Sequence, residues 1–346
     1  MTRTETGNAG ADSRGTRNTG TGNTGAGNTG AGNTGTRSGE SDNRRTGNTG
    51  AGNRELVAER LLRSSARLSY DPVTAIDWTA PVDPDRYAAR PERLSLYGTP
   101  LWDRLTEAQR RELSRQEVAS IATSGIWFEA ILTQMLIRHA YDGDPAASHI
   151  QWAYTEIADE CRHSVMFAKF IGKMAAAGFR PDPVAHALGK VFKSTSNGPL
   201  TFAGALFVEE LLDQMQREAV TDETLDPLTR AVARIHVTEE ARHMRYAREE
   251  LRRVWARRGG VSRAYSRFVL AVVAYFATTR LIHPDCYARV GLDPRAARRA
   301  ARNNPHWRAS TAWFARKAVA TFTEAGLIGG PSRYLWRKAG LIDHTA

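Results

Sequence analysis

From residue 54 onward, long amphipathic stretches rich in Ala, Leu, Arg and Glu alternate with short segments that hold most of the proline and glycine. Proline and glycine placed in this way are typical of helix boundaries. No segment has the alternating apolar and polar pattern of a strand. The pattern therefore predicts an all-α protein. Its helices are predicted at roughly 54–68, 105–141, 147–177, 200–221, 227–258, 262–282 and 306–325.

The first 53 residues have a different pattern. Asn-Thr-Gly units recur there with Gly and Ala between them, as in GNTGAGNTGAGNTGT from Gly22. Small polar residues offer nothing to bury, and glycine loses much backbone entropy on folding. We therefore predict a disordered Asn/Thr/Gly-rich tail over residues 1–53 and a folded domain over residues 54–346.

Composition narrows the setting and the partners. The two cysteines, Cys161 and Cys286, form no disulfide framework, and the N-terminus has no apolar export signal, so a cytoplasmic protein is expected. The longest apolar run, Phe268–Ile282, is too short to span a bilayer. The net charge of +11 is spread along helical stretches without a reader motif. A solvated basic surface is expected, with no nucleic acid and no membrane as partner.

Two short segments carry the same potential ligands. Glu160-Cys161-Arg162-His163 lies on the second long helix and Glu240-Ala241-Arg242-His243 on the fourth. A Glu and a His three residues apart project from one face of a helix, so both can bind the same metal centre. A single Glu-x-x-His is common by chance. Two copies on alternate helices of a four-helix run predict a di-metal site, which also needs a Glu from each of the other two helices.

The first long helix offers Glu129 within an apolar stretch, where a carboxylate is costly unless it is paired or bound to metal. The turn after this helix is centred near Asp144. Glu129 lies 15 residues before that point and Glu160 lies 16 residues after it, so the two face each other in an antiparallel pair. The alternative, Glu117, would be displaced by about three turns.

The third long helix offers two adjacent carboxylates, Glu209 and Glu210, among apolar residues. One of them should point inward. Helical phase does not decide which, because adjacent positions differ by only about 100°.

The fourth long helix adds a third histidine. His236, Glu240 and His243 are spaced by four and three residues, so they form one stripe. Glu239 lies near this stripe and is expected to face solvent or to support a ligand from outside. Asp159 and Asp213 are expected either to accept from ligand histidines or to form salt bridges on the exterior. Arg162 and Arg242 are expected to point away from the metals.

This donor set indicates which metals fit. Carboxylate oxygens combined with imidazole suit iron or manganese, and a site this rich in Glu is unlike structural zinc.

The whole pattern resembles the p-aminobenzoate N-oxygenase family over roughly residues 90 to 260. The resemblance implies a ferritin-like four-helix bundle with additional flanking helices. It also implies a non-haem di-iron enzyme, in a family that oxidises aryl amines to nitro groups in antibiotic biosynthesis. It selects Glu209 over Glu210, and His236 separates this family from ferritin-like proteins with two histidines. The implied ligands of two iron ions, or of manganese, are Glu129, Glu160, His163, Glu209, His236, Glu240 and His243.

The resemblance further implies O2, a small-molecule amine and an external electron donor as partners, and base rates favour a homodimer. The family's prototype has an Arg shortly before its first ligand Glu, whereas residues 121–125 here contain none. This departure leaves another amine, or another organic substrate, open. Two other functions fit the same ligands: a di-iron hydroxylase or desaturase acting on carbon, and a ferritin-like iron-handling protein. A basic bundle without metal is a third alternative.

Overall fold

The computed structural model describes residues 41–175 and 177–343, with side chains described from residue 53 onward. The prediction of an all-α fold is confirmed, because these residues form helices and no strand. The helices are α1 (Ser41–Arg67), α2 (Pro72–Ala75), α3 (Pro100–Asp103), α4 (Glu107–Tyr141), α5 (Ser148–Ala175), α6 (Pro183–Thr195), α7 (Pro199–Thr221), α8 (Pro227–Ala256), α9 (Gly260–Thr279), α10 (Asp285–Ala288), α11 (Pro294–Asn303), α12 (Pro305–Glu324) and α13 (Arg333–Lys338).

The four long helices α4, α5, α7 and α8 form the bundle. Their ends lie within two residues of the predicted ones. Helix α4 packs along α5 and α7 along α8, while contacts of α5 with α8 and of α4 with α7 close the ring. Local sequence sets the starts of these helices. A capping box between Thr106 and Gln109 begins α4, and the Asp226 side chain caps the first turn of α8 just before Pro227.

Further helices flank the bundle, as predicted. Helix α12 packs against α7, and α9 packs against α7 and α13. Phe207 of α7, Phe322 of α12 and Trp336 of α13 are fully buried and contact one another through their rings. This aromatic cluster holds the flanking helices on one side of the bundle.

Several elements differ from the predicted ones. The helices that were not predicted are α2, α3, α6, α10, α11 and α13. Of the predicted tail over residues 1–53, residues 1–40 lie outside the described part of the chain. Residues 41–53 belong to α1, which begins before the predicted first helix. The division of the chain at residue 53 stays a prediction.

Helix α4 is long and apolar enough to cross a membrane by length and composition. Half of that stretch is buried within the protein, however, and the helix carries the buried carboxylates Glu117 and Glu129. These are the features of a bundle core helix. The described residues therefore give no support for a membrane span.

Candidate metal centre

The bundle brings the seven residues of the predicted ligand set into its interior. Each has at most 4% of its surface exposed, whereas Glu and His in ordinary positions are mostly or partly exposed. One comes from α4, two from α5, one from α7 and three from α8: Glu129; Glu160 and His163; Glu209; and His236, Glu240 and His243.

Two glutamates lie between two histidines at the middle of this cluster. Nδ1 of His163 is 3.2 Å from Oε2 of Glu160 and 3.1 Å from Oε1 of Glu240. Nδ1 of His243 is 3.1 Å from Oε1 of Glu160 and 3.1 Å from Oε1 of Glu240. Each carboxylate therefore reaches both histidines. Both carboxylates could therefore hold the same metal centre as these histidines.

The outer nitrogens of these histidines are held by carboxylates. Nε2 of His163 donates to Glu239 over 2.8 Å, and Nε2 of His243 donates to Asp159 over 3.1 Å. These bonds fix the ring orientation and leave Nδ1 of each ring facing the cluster. Arg242 Nη2 lies 3.8 Å from both Asp159 and Glu239, so it supports the two acceptors from behind.

Three expectations are thereby decided. The solvent-facing alternative for Glu239 is wrong, because that side chain is fully buried. Asp159 takes the role of histidine acceptor. Asp213 forms salt bridges instead, with Arg217 at 2.8 Å and Lys317 at 3.2 Å; its carboxylate is buried and only these basic partners reach solvent.

His236 is oriented from the other side. Its Nδ1 lies 2.7 Å from Oε1 of Gln216. Since an amide oxygen only accepts, Nδ1 carries the proton and Nε2 presents its lone pair to the cluster. Nε2 has no hydrogen-bond partner and lies 3.5 Å from Glu129 and 3.7 Å from Glu240. Burial lowers the pKa of His236 to about 4, so the ring is neutral, as a metal ligand must be.

Adjacent carboxylates on α7 take opposite directions. Glu209 faces Glu160 and Glu240, and its Oε2 has no hydrogen-bond partner. Glu210 turns away and accepts from Nε of Arg248 over 2.9 Å. Glu117, the alternative to Glu129 on α4, accepts from the backbone N–H of Ser95 over 3.0 Å and takes no part in the cluster.

An additional carboxylate, Glu156, belongs to the cluster and was not predicted. It is fully buried on α5, one turn before Glu160, and its Oε2 has no hydrogen-bond partner. A ligand atom of Glu156 lies within 4.8 Å of ligand atoms of Glu160 and His243. The signal was present in the sequence, because Glu156 precedes Glu160 by four residues, as His236 precedes Glu240.

The cluster concentrates buried carboxylates, and a bound cation would stabilise their ionised forms. Burial and neighbouring carboxylates raise the pKa of Glu129 and of Glu209 well above 4.5, and burial raises that of Glu156 to about 8. Burial opposes protonation of His163, but hydrogen bonds to Glu160, Glu239 and Glu240 raise its pKa well above 6.5. Metal ions would replace such protons and relieve the repulsion between carboxylates.

The donor set fits two divalent ions. Every predicted ligand belongs to at least one of four groups of three whose ligand atoms lie within 4.8 Å of one another. Unpartnered buried atoms on Glu129, Glu209, Glu240 and His236 are costly without a cation to bind. The four carboxylates Glu129, Glu160, Glu209 and Glu240 also balance the charge of two divalent ions.

A cavity of about 550 Å³ lies beside the centre, between α4, α6, α7 and α9. Glu209 forms part of its wall, and the remaining wall is mainly apolar, with Trp127, Phe192 and Phe276 among its aromatic residues. Mostly apolar cavities of this size with a few polar groups are typical of small-molecule sites. The cavity therefore gives an organic molecule access to the centre from the Glu209 side.

Comparison with known proteins identifies a family. The family described as P-aminobenzoate N-oxygenase AurF matches residues 51–326, a range that contains all seven predicted ligands. Similar curated proteins include uncharacterized proteins of Mycobacterium bovis and Mycobacterium tuberculosis. Each is 28% identical to this chain over 207 residues, which are 56% of this chain and 59% of the relative. The chain thus spans about three fifths of the length of these relatives.

Proposed function

Because the chain belongs to the p-aminobenzoate N-oxygenase family, we propose that it is a non-haem di-iron oxygenase. It uses O2 to oxidise the amine of a small molecule to a hydroxylamine, nitroso or nitro product. The observation that carries this proposal is the third histidine, His236, whose unpartnered Nε2 points at Glu129 and Glu240. A two-histidine ferritin-like site has no such donor.

In this proposal the seven predicted residues bind two iron ions, and Glu156 lies beside them as a further carboxylate. When bound, the iron ions supply the reduction of O2 and the transfer of oxygen to nitrogen. The chain supplies the setting. Gln216 keeps His236 in the tautomer that offers Nε2, while Glu239 and Asp159 keep His163 and His243 in the tautomer that offers Nδ1.

The surroundings of the centre favour an organic substrate over stored iron. Trp152 and Phe167 pack against His243 and His236 and keep water from that side of the cluster. The mainly apolar cavity meets the cluster at Glu209. An iron-storage protein needs a polar route for hydrated ions, and the wall of this cavity is unsuited to one.

The proposal also covers the domain bounds, the location, the electron donor and the oligomeric state. It includes residues 54–346 as the oxygenase domain, a cytoplasmic location, an external electron donor and a homodimer. It also includes a role in secondary-metabolite biosynthesis, and the amine is left unnamed because residues 121–125 contain no Arg.

The test combines metal content with product analysis. Protein expressed in iron-replete medium should contain two iron ions per chain and should convert aryl amines to N-oxygenated products in the presence of O2 and a reductant. His236→Ala should reduce both the iron content and N-oxygenation. His186→Ala, a change in the cavity wall away from the cluster, is the matched control and should keep the iron. A protein without iron or manganese, or products oxidised on carbon alone, would refute the proposal.

A further inference from the structure

The wall of the large cavity carries more positive than negative charge. Its basic residues are Arg180, Lys190, Lys193, Arg280 and Arg298, and its acidic residues are Asp182 and Glu209. Glu209 faces the metal centre. The Asp182 carboxylate caps the first turn of α6 and binds Arg280 Nη1 over 2.8 Å. The acidic residues are therefore already engaged, and positive charge remains in a mainly apolar cavity.

Arg298 is the clearest case of uncompensated charge. It lies on α11, is half-buried in the cavity wall, and makes no hydrogen bond or ion pair with the described residues. Partial burial and the neighbouring Arg280 lower its pKa. The acid that acts on Arg298 is Asp182, which raises the pKa of Arg298 but whose carboxylate already binds Arg280. A guanidinium left without a partner in a cavity wall is suited to an anionic group of a ligand.

The end of the cavity that holds Arg280 and Arg298 lies far from the metal centre along α4. The hydroxyl of Ser120 donates to the Leu281 carbonyl over 3.2 Å and accepts from the backbone N–H of His283 over 2.8 Å. The segment that follows Arg280 is therefore at the level of Ser120. Glu129 comes nine residues later on the same helix, a rise of about 13 Å. That distance exceeds the separation of the amino and carboxylate groups across one aromatic ring.

We propose that the cavity binds an elongated, mainly apolar amine that carries an anionic group at its far end, and that Arg298, assisted by Arg280, binds that group. The inference rests on the proposed function, since the amine is the end placed at the metal centre. Trp127, Phe128 and Phe276 line the space between the two ends and provide apolar surface for the body of the molecule. Arg298 thereby becomes a determinant of substrate length and charge.

The test measures binding to the full-length, iron-loaded protein without O2, so that no turnover is required. Quenching of tryptophan fluorescence is a suitable signal because Trp127 lies in the cavity wall. The probes are 4′-aminobiphenyl-4-carboxylate, its phosphonate analogue, neutral 4-aminobiphenyl and the shorter p-aminobenzoate. The two anionic biphenyls should bind more tightly than the neutral one, and the tighter of the two identifies the preferred anion.

Three variants distinguish a specific contact from general charge. Arg298→Ala should weaken binding of the anionic biphenyls about tenfold or more, as expected for a lost charge-assisted hydrogen bond, and leave 4-aminobiphenyl unchanged. Arg298→Lys should keep most of the affinity. Arg299→Ala removes the same charge from an exposed neighbouring position and should have no effect.

Two results would overturn the inference: equal losses with Arg298→Ala and Arg299→Ala, or neutral 4-aminobiphenyl binding as tightly as the anionic probes. Arg298-dependent binding of p-aminobenzoate as tight as that of the biphenyl would overturn the elongated shape. Oxidation of the bound probes is measured separately with O2 and reductant. Binding without oxidation would count against the proposed function and leave the anion site intact.

Discussion

Glu209 and Glu210 are adjacent on α7, yet replacing each by glutamine should have opposite consequences. Glu209 faces three other carboxylates of the centre, Glu129, Glu160 and Glu240. Glu210 accepts hydrogen bonds from Arg248. Both side chains are buried, so the substitutions are alike in size, charge change and location. They differ in their neighbours, because Glu209 faces other carboxylates and Glu210 faces a guanidinium.

The structure sets the size of each effect. Glu210 is fully buried, whereas about a third of the Arg248 side chain is exposed, so the pair lies between a surface and a buried salt bridge. Burial nevertheless raises the pKa of Glu210 above its ordinary 4.5, so the contact with Arg248 does not fully offset the cost of burying the charge. Glu210→Gln should therefore change the free energy of unfolding by no more than about 1 kcal/mol, which is a Tm change of about 2 °C for a domain of this size. Glu209→Gln removes a carboxylate whose pKa is raised by burial and by Glu240 and Glu160, so the metal-free protein should not lose stability.

The assay measures the Tm of the metal-free variants and the iron content of each after anaerobic reconstitution. Glu209→Gln should bind less than two irons per chain with an unchanged or higher metal-free Tm. Glu210→Gln should keep its iron, with a metal-free Tm within about 2 °C of the wild type. If Glu210→Gln lost iron while Glu209→Gln retained it, the choice of Glu209 as the ligand from α7 would be wrong. A large decrease of the metal-free Tm in either variant would contradict the charge argument.

Further predictions concern the other buried carboxylates. Burial raises the pKa of Glu117 to about 7 from its ordinary 4.5, so the wild-type protein should lose stability as the pH rises through that window. Glu117→Gln should therefore gain on the order of 3 kcal/mol relative to wild type between about pH 5 and about pH 8, measured by urea unfolding of the metal-free proteins; a constant difference would contradict this. Asp159→Asn should weaken iron affinity by about 10- to 100-fold in competition with a chelator, while Asp213→Asn, whose carboxylate binds Arg217 and Lys317 instead of a histidine, should not. Glu156→Ala should lower the iron content at limiting metal while keeping the bundle folded by circular dichroism; full affinity would exclude Glu156 as a ligand.

Counting residues along the helices predicted the level of the ligands, whereas helical phase did not predict every ligand. Counting residues from Asp144 placed Glu129 opposite Glu160, because the rise of an α-helix is constant over a whole helix. Helical phase did not distinguish Glu209 from Glu210, and α7 shows why. Every residue from Pro199 to Asp213 is buried, so no exposed face marks the outside of that helix.

Features that depend on tertiary packing were less accessible. Helix α6 begins with a capping Asp182 followed by Pro183, a recognisable start signal, but its sequence does not indicate that it covers a cavity beside α4. The positive charge of the chain, to which Arg298 contributes, was interpreted as a solvated basic surface. The position of Arg298 in a cavity wall follows from how α11 packs, which no local pattern encodes.

The two Glu-x-x-His copies are also related in a way that spacing alone did not reveal. His163 donates to Glu239, the residue before Glu240, and His243 donates to Asp159, the residue before Glu160. Each copy therefore orients the histidine of the other, and α5 and α8 depend on each other to form the centre. The similarity between the two helices ends one turn before the Glu-x-x-His copies, where α5 has Glu156 and α8 has His236. The equivalent positions thus differ in charge, because burial keeps His236 neutral whereas a metal-bound Glu156 is an anion. If both bind metal, the two ions have different donors and should differ in affinity, with the carboxylate-rich position beside His243 and the histidine-rich position beside His163.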